Sequence, residues 1–425
     1  MSSSVMLSNR KHGIGTSVYF SVIAIYSGLI TNFAGLMSDP LKYIFYTVSL
    51  VFGYSAIYIA LLCGVNKSIK KYLTGWSLII IYLLIVGAIR SDFFTNGFNI
   101  GTFLAQDLRF LMYVGIGILM ADSPRIRYFQ KTIHTIAYLS VIFGIIALAN
   151  FNFDYAMASE GARLGIWSLP YYLWWASGSV YAYMYPYCRL SGKDKVVGIG
   201  SFITYLVLGL IFIKRAVVVN SVITIALTEI FIGYEKKQKH RGRLSATIKI
   251  ILTIAVLLGI GMAIPYTRVL LISMAKRFFS QGNLFEYDRA QEAADYFRGA
   301  SISELIFGQG IGHYVVTYSE LNGLHIGVYN LVYKGGIFLL FVYIYIFLRI
   351  IRLFLQRKEM QKNQLVWLTV AVSYVVCMVY EGTWSYTIYM LQYVTPIVCL
   401  LAYGRTNNDK NTQLQHVNKF NGGEI

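Results

Sequence analysis

The sequence predicts an all-α integral membrane protein of about twelve transmembrane helices, with one long outer loop that contains short amphipathic helices. Three observations carry this expectation. Hydrophobic residues fill 56% of the 425 positions, charged residues only 13%, and the mean hydropathy is +0.56. A soluble domain of that length does not keep such a balance. The apolar residues fall in blocks of roughly 20, the length that crosses a hydrocarbon core of about 30 Å. Basic residues, finally, gather on alternate connecting segments.

In chain order the apolar blocks are 14–36, 43–65, 72–89, 98–121, 132–151, 166–188, 196–213, 216–234, 250–266, 326–348, 365–380 and 385–403. In lipid the backbone has no water to bond, so each block must satisfy its own hydrogen bonds as a helix. The expected organisation is a membrane bundle of spans one to nine in 1–266, a large outer loop in 267–325, spans ten to twelve in 326–403, and a tail in 404–425. The tail is polar and poor in apolar residues, a composition that does not form a core. The first block is too long for the apolar region of a signal peptide and reads as an uncleaved anchor. Cys63, Cys188, Cys377 and Cys399 lie in or at the ends of spans with no paired spacing, which supports neither a disulfide framework nor a metal site.

The net charge of +18 resembles a nucleic-acid signal until its distribution is read. Arg10, Lys11, Lys67, Lys70, Lys71, Arg125, Arg127, Lys131, Arg189, Lys193 and Lys195 lie on every second connection. The pattern continues through 236–249, Arg349–Lys362 and the tail residues Arg405, Lys410 and Lys419. Cytoplasmic loops carry such an excess, so both termini are expected to be cytoplasmic and nucleic acid is excluded as a partner.

Two outer segments stand apart. The first, 152–165, carries Asp154, Glu160 and Arg163; the second is 267–325. Within the second, 285–298 is predicted as an amphipathic helix whose apolar face is Phe285, Ala290, Ala293, Ala294 and Phe297, ended by Gly299. Ser301-Ile302-Ser303-Glu304 has the spacing of a capping box opening a second short helix, expected to lie flat on the outer mouth of the bundle. Gly308-Gln309-Gly310-Ile311-Gly312 has a nucleotide-loop look, but no βαβ unit surrounds it, and a tight turn returning the chain to the membrane is the expected role.

Charges within spans are expensive and are functional candidates for that reason. Asp107 and Arg109 are two residues apart in the fourth span, on opposite sides of a helix, so each needs its own partner. An interhelical ion pair and a substrate contact are both open for them. Lys334, in the tenth span, poses the same question. Lys214 and Arg215 either snorkel to the outer headgroups or face a substrate. Arg163, Arg215, Arg268, Arg277, Arg289 and Arg298 all stand on the outer side, against the topology bias. Guanidinium groups bind phosphate oxygens in bidentate fashion, which suits a lipid-linked diphosphate. The long loop also holds Glu286, Asp288, Glu292, Asp295, Glu304 and Glu320, so it is no general anion funnel, and Arg277 and Arg298 read as surface ion pairs. Glu286 and Asp288 read as a solvated face rather than a cation site. His325, just before the tenth span, titrates in the range a general base requires, although an interfacial histidine is also commonly structural.

Four local patterns together resemble the O-antigen polymerase (Wzy-type) and O-antigen ligase superfamily. They are Arg163-Leu164-Gly165 opening a span, Lys214-Arg215-Ala216 between two central spans, Arg289 followed by the Gly308–Gly312 turn, and His325 with Tyr329, Gly335 and Gly336. They run from Arg163 to Gly336 in the family order. The asparagine usual after the loop histidine is Ile326 here, with Asn330 the nearest amide, and Tyr171 or Tyr172 stands where an asparagine usually follows the Arg-x-Gly element.

The resemblance implies a glycosyltransferase, without metal or cofactor, at the periplasmic face of the bacterial inner membrane. Its donor would be a glycan on undecaprenyl diphosphate. The expected activity is an O-antigen or polysaccharide polymerase joining such repeats. The alternatives are a ligase transferring glycan to lipid A-core and a lipid-linked oligosaccharide flippase or other transporter. By the same resemblance His325 is the base, Arg215 and Arg289 stabilise the leaving diphosphate, and Arg163 positions substrate. Lys214, His313, Asn330 and Arg109 complete the expected substrate contacts. Expected partners are the lipid-linked oligosaccharide and membrane lipids, with a chain-length regulator as a further candidate.

Overall fold

The computed structural model describes residues 3–31, 39–90, 103–149, 288–312, 326–356, 362–380 and 390–403, plus isolated positions elsewhere. Among the described residues the chain is helical, with no strand. The helices are α1 Ser3–Ile30, α2 Asp39–Cys63, α3 Lys67–Arg90, α4 Arg109–Met120 and α5 Ile126–Ala149. After them come α6 Asp288–Gly299, α7 Ile302–Phe307, α8 Gly327–Leu355, α9 Lys362–Tyr380 and α10 Met390–Tyr403. A π-helical segment, Phe103–Leu108, leads directly into α4.

Four of these are long and apolar enough to cross a membrane: Gly13–Ile30, Pro40–Cys63, Lys67–Arg90 and Gly327–Leu355. The protein is therefore a helical membrane protein. Large apolar side chains confirm the solvent they expect. Leu78, Ile81, Ile85 and Ile89 on α3, and Phe341, Tyr345, Leu348 and Leu355 on α8, are exposed along one stripe of each helix. Water would oppose such stripes; hydrocarbon does not.

The chain divides into two compact units, 133–291 and the remainder. In the larger one, side-chain bonds fix the direction of each helix. Arg109 on α4 reaches Thr31 at the end of α1, Tyr113 reaches the Ala24 carbonyl, and Arg125 beyond α4 reaches Ser17 in the middle of α1. The two run antiparallel. Thr395 donates to the Gly117 carbonyl and Cys399 to that of Ala121, so α10 runs parallel to α4. Gln364 donates to the Tyr403 carbonyl, placing the start of α9 beside the end of α10. A Cβ on Gly117 would meet the Val394 side chain at 2.9 Å, so the small residue lets α4 and α10 approach closely, the usual device of membrane interfaces.

One end of this unit holds a buried ion pair at the turn after α4. Arg125, fully buried, pairs with Asp122 and donates to Ser17 Oγ at 3.0 and 3.2 Å. Burial pushes the Asp122 carboxyl up, opposed by Arg125. Lys67, Lys70 and Lys71 open α3 at this same end, where the Asn66 backbone meets Asp122, and Arg349 and Arg352 lie in the last turns of α8, away from its start. The opposite end holds the candidate site.

Candidate functional site: a glycine loop seated in a broken helix

The site begins with a helix start that local sequence dictates. Ser301 caps α7 through a capping box: Glu304 N–H donates to Ser301 Oγ at 3.3 Å, and Ser301 N–H donates to Glu304 Oε2 at 2.6 Å. That backbone bond holds the Glu304 carboxyl below its usual range. The other Glu304 oxygen accepts from Gln309 Nε2 at 2.5 Å, tying the cap to the loop that follows. The preceding helix, α6, runs Asp288–Gly299, starting three residues later than the amphipathic segment 285–298 expected from sequence and taking in Gly299, and Arg298 pairs with Asp295 at its exposed end.

After Phe307 the chain cannot continue as a helix. Gly308, Gly310 and Gly312 all have positive φ, at 77°, 74° and 89°. The consequence is close approach rather than a simple turn. A Cβ on Gly310 would lie 2.2 Å from the Gly87 nitrogen of α3, a separation that only a hydrogen in its place permits. On the other side the loop meets α8, which the apolar run 326–348 predicts as one uninterrupted span. The helix is instead broken at Gly335 (φ −130°, ψ 16°) and Gly336 (φ 60°, ψ −157°). Hydropathy reads composition and is blind to a glycine pair in an apolar run.

A break at membrane depth frees carbonyls that must find donors. Here the loop supplies them. Gln309 N–H donates to the Tyr333 carbonyl and Gly310 N–H to that of Lys334, each at 2.8 Å. The Tyr82 hydroxyl from α3 lies 2.9 Å from the Phe307 carbonyl and 3.2 Å from that of Gly335. Loop, α3 and the two halves of α8 thus complete one another's backbone bonding.

At the centre lies the partner that Asp107 requires. Lys334 Nζ is 3.1 Å from both carboxylate oxygens of Asp107, and Gly312 N–H donates to Oδ2 at 2.7 Å. Asp107 and Lys334 are each 1% exposed. Two charges so buried are tolerable only with good geometry and further hydrogen bonds, and the Gly312 amide supplies one. Arg109 faces elsewhere, as the two-residue spacing requires. It is buried, donates to Thr31 Oγ1 at 3.3 Å and lies 4.4 Å from the centre of the Tyr46 ring. Of the two readings open for Asp107, the structure places it in an interhelical ion pair.

Above the break, the first turns of α8 carry Asn330 and Tyr333, both buried. Tyr296 of α6 packs edge-on to Tyr333 at 5.2 Å, and Phe297 edge-on to Tyr329 at 5.4 Å. Burial pushes the Tyr296 phenol up to about 12, with the Glu304 carboxylate adding to the rise, so it remains protonated at neutral pH.

Of the residues singled out in the sequence, Arg109 and Asn330 are therefore placed, at separate positions in the bundle. Arg289 lies in the first turn of α6. Arg163, Lys214, Arg215, His313, His325 and Glu286 lie outside the described residues, although His325 immediately precedes Ile326, the N-cap of α8. Sequence reasoning named Asp107, Lys334 and the glycines separately and missed that they form one assembly. It missed Tyr82 and Tyr333 altogether, since nothing local distinguishes them among 35 tyrosines. A search against protein-family models and a search of curated proteins each find no match to this chain.

Proposed function

We propose that the protein is a polysaccharide polymerase that joins undecaprenyl-diphosphate-linked oligosaccharide repeats at the outer face of the bacterial inner membrane. The observation that carries this reading is the seating of the Gly308–Gly312 loop at the end of the bundle away from the basic helix termini. By the positive-inside rule that end is the outer one, and twelve spans with 267–325 outside place both termini in the cytoplasm. A loop bonded into α8 fixes the chain on both sides of the segment that ends in His325. A transferase needs such anchorage to hold its reacting groups in register.

In the reaction His325 takes the proton of an acceptor sugar hydroxyl, whose oxygen attacks the anomeric carbon of the donor. The bond from that carbon to the diphosphate oxygen breaks, and undecaprenyl diphosphate leaves with the electron pair. Arg215 and Arg289 stabilise the charge that builds on it, and Arg163 with Lys214 holds substrate. No metal is required, because fixed cations do its electrostatic work.

A flippase or other transporter of the broken-helix kind uses freed carbonyls and helix ends to coordinate its ions. Here the Tyr333, Lys334 and Gly335 carbonyls already have donors near them, which favours the transferase. A lipopolysaccharide gel from a strain lacking the protein tests the assignment. Core carrying a single repeat is expected. Bare core with accumulating lipid-linked polymer would indicate the ligase, and bare core with repeats trapped on the inner leaflet the flippase.

A further inference from the structure

Two polar atoms near the start of α8 have no hydrogen-bond partner although both are buried: Asn330 Oδ1 and Tyr333 Oη. Their residues are 3% and 2% exposed. Buried polar atoms of this kind are nearly always satisfied, by protein, water or ligand. Spaced three apart on a helix, the two side chains share a face and stand close together. One can only accept through that oxygen; the other can donate and accept. A partner that satisfies both must donate to the amide oxygen and either accept from or donate to the phenol a few ångströms away, as neighbouring hydroxyls on one ring do.

The surroundings narrow the chemistry further. Tyr296 and Tyr329 supply aromatic surface beside the two atoms, with Phe297 packed on Tyr329. Such rings cover the apolar C–H face of a hydroxylated ring and leave its edge free to bond. Lys334 lies 5.6 Å from the centre of the Tyr333 ring and Asp107 balances it, while the Glu304 carboxylate and Arg90 also act on Tyr296. Tyr329, half-open at 39% exposure, gives the cluster a side toward its exterior.

We propose that Asn330 and Tyr333, flanked by Tyr296 and Tyr329, form a subsite for a sugar ring of the lipid-linked substrate. The subsite rests on the glycosyltransferase reading and adds to it: the saccharide is recognised at the first turns of α8.

The test compares two probes on purified protein in lipid nanodiscs. One is undecaprenyl diphosphate without sugar; the other is the undecaprenyl-diphosphate-linked oligosaccharide extracted from the native cell. The wild type is expected to bind the sugar-bearing lipid at least about tenfold more tightly, a difference of about 1.4 kcal/mol. Tyr333→Phe and Asn330→Ala are each expected to bring the two affinities to within about twofold. Tyr333→Phe removes a buried unpaired hydroxyl at constant shape, so the Tm of the ligand-free protein is expected to hold or rise. A bound water or a purely structural hydroxyl would instead lower that Tm and leave the affinity ratio intact, which overturns the subsite. Equal wild-type affinity for both lipids overturns the subsite and leaves the functional reading standing. Binding of neither lipid overturns both.

Discussion

Asp107→Ala is expected to destabilise the helical bundle by about 3–5 kcal/mol, the usual cost of stripping one partner from a buried ion pair. The substitution leaves the Lys334 ammonium in an apolar interior and the Gly312 N–H without its acceptor. It also unfastens the loop at the point where α4, α8 and the glycine segment meet. Asp107→Asn keeps an oxygen for Gly312 and should cost less. Replacing the pair together, as Asp107→Leu with Lys334→Met, should recover most of the loss, because the removed charges no longer need desolvation. Unfolding of the detergent-solubilised protein by a denaturing surfactant measures all three variants. If Asp107→Ala unfolds with the wild type, the pair does not hold the loop.

His325→Ala, Arg215→Ala and Arg289→Ala are each expected to reduce the polymer ladder to core bearing a single repeat, at unchanged protein levels. Removing a general base costs about 10²–10⁴ in rate. Loss of a group that stabilises charge in the transition state costs about 10²–10³. Both losses far exceed what a surface arginine or an interfacial histidine contributes to stability. Arg298→Ala is the matched control, since its guanidinium meets Asp295 at an exposed helix end. It should leave the ladder intact. Full chain lengths in the His325→Ala strain would remove that residue from the role of base.

What could be read from sequence was local. The capping box at Ser301 and Glu304 depends on a three-residue spacing, and the structure contains it. The separate fates of Asp107 and Arg109 followed from helical geometry alone, and their partners do lie in different places. The Gly308–Gly312 segment was legible as a tight turn, but not as a seat for Gly87 and the break in α8. Its partners come from distant parts of the chain, and no spacing encodes that pairing. Lys334 illustrates the same limit: its charge flagged it, while Asp107, 227 residues earlier, could be chosen only once the helices were packed. Hydropathy found the described spans because lipid asks for little more than apolar length. It passed over Gly335 and Gly336 because the break is a matter of backbone conformation, and glycine does not interrupt an apolar run.

Purified protein in nanodiscs, supplied only with the undecaprenyl-diphosphate-linked repeat and a metal chelator, gives the most direct trial of glycosyl transfer. A ladder of lipid-linked products, each longer by one repeat and matched by released undecaprenyl diphosphate, is the expected result. An unchanged substrate under conditions where the protein demonstrably binds it would contradict the polymerase assignment.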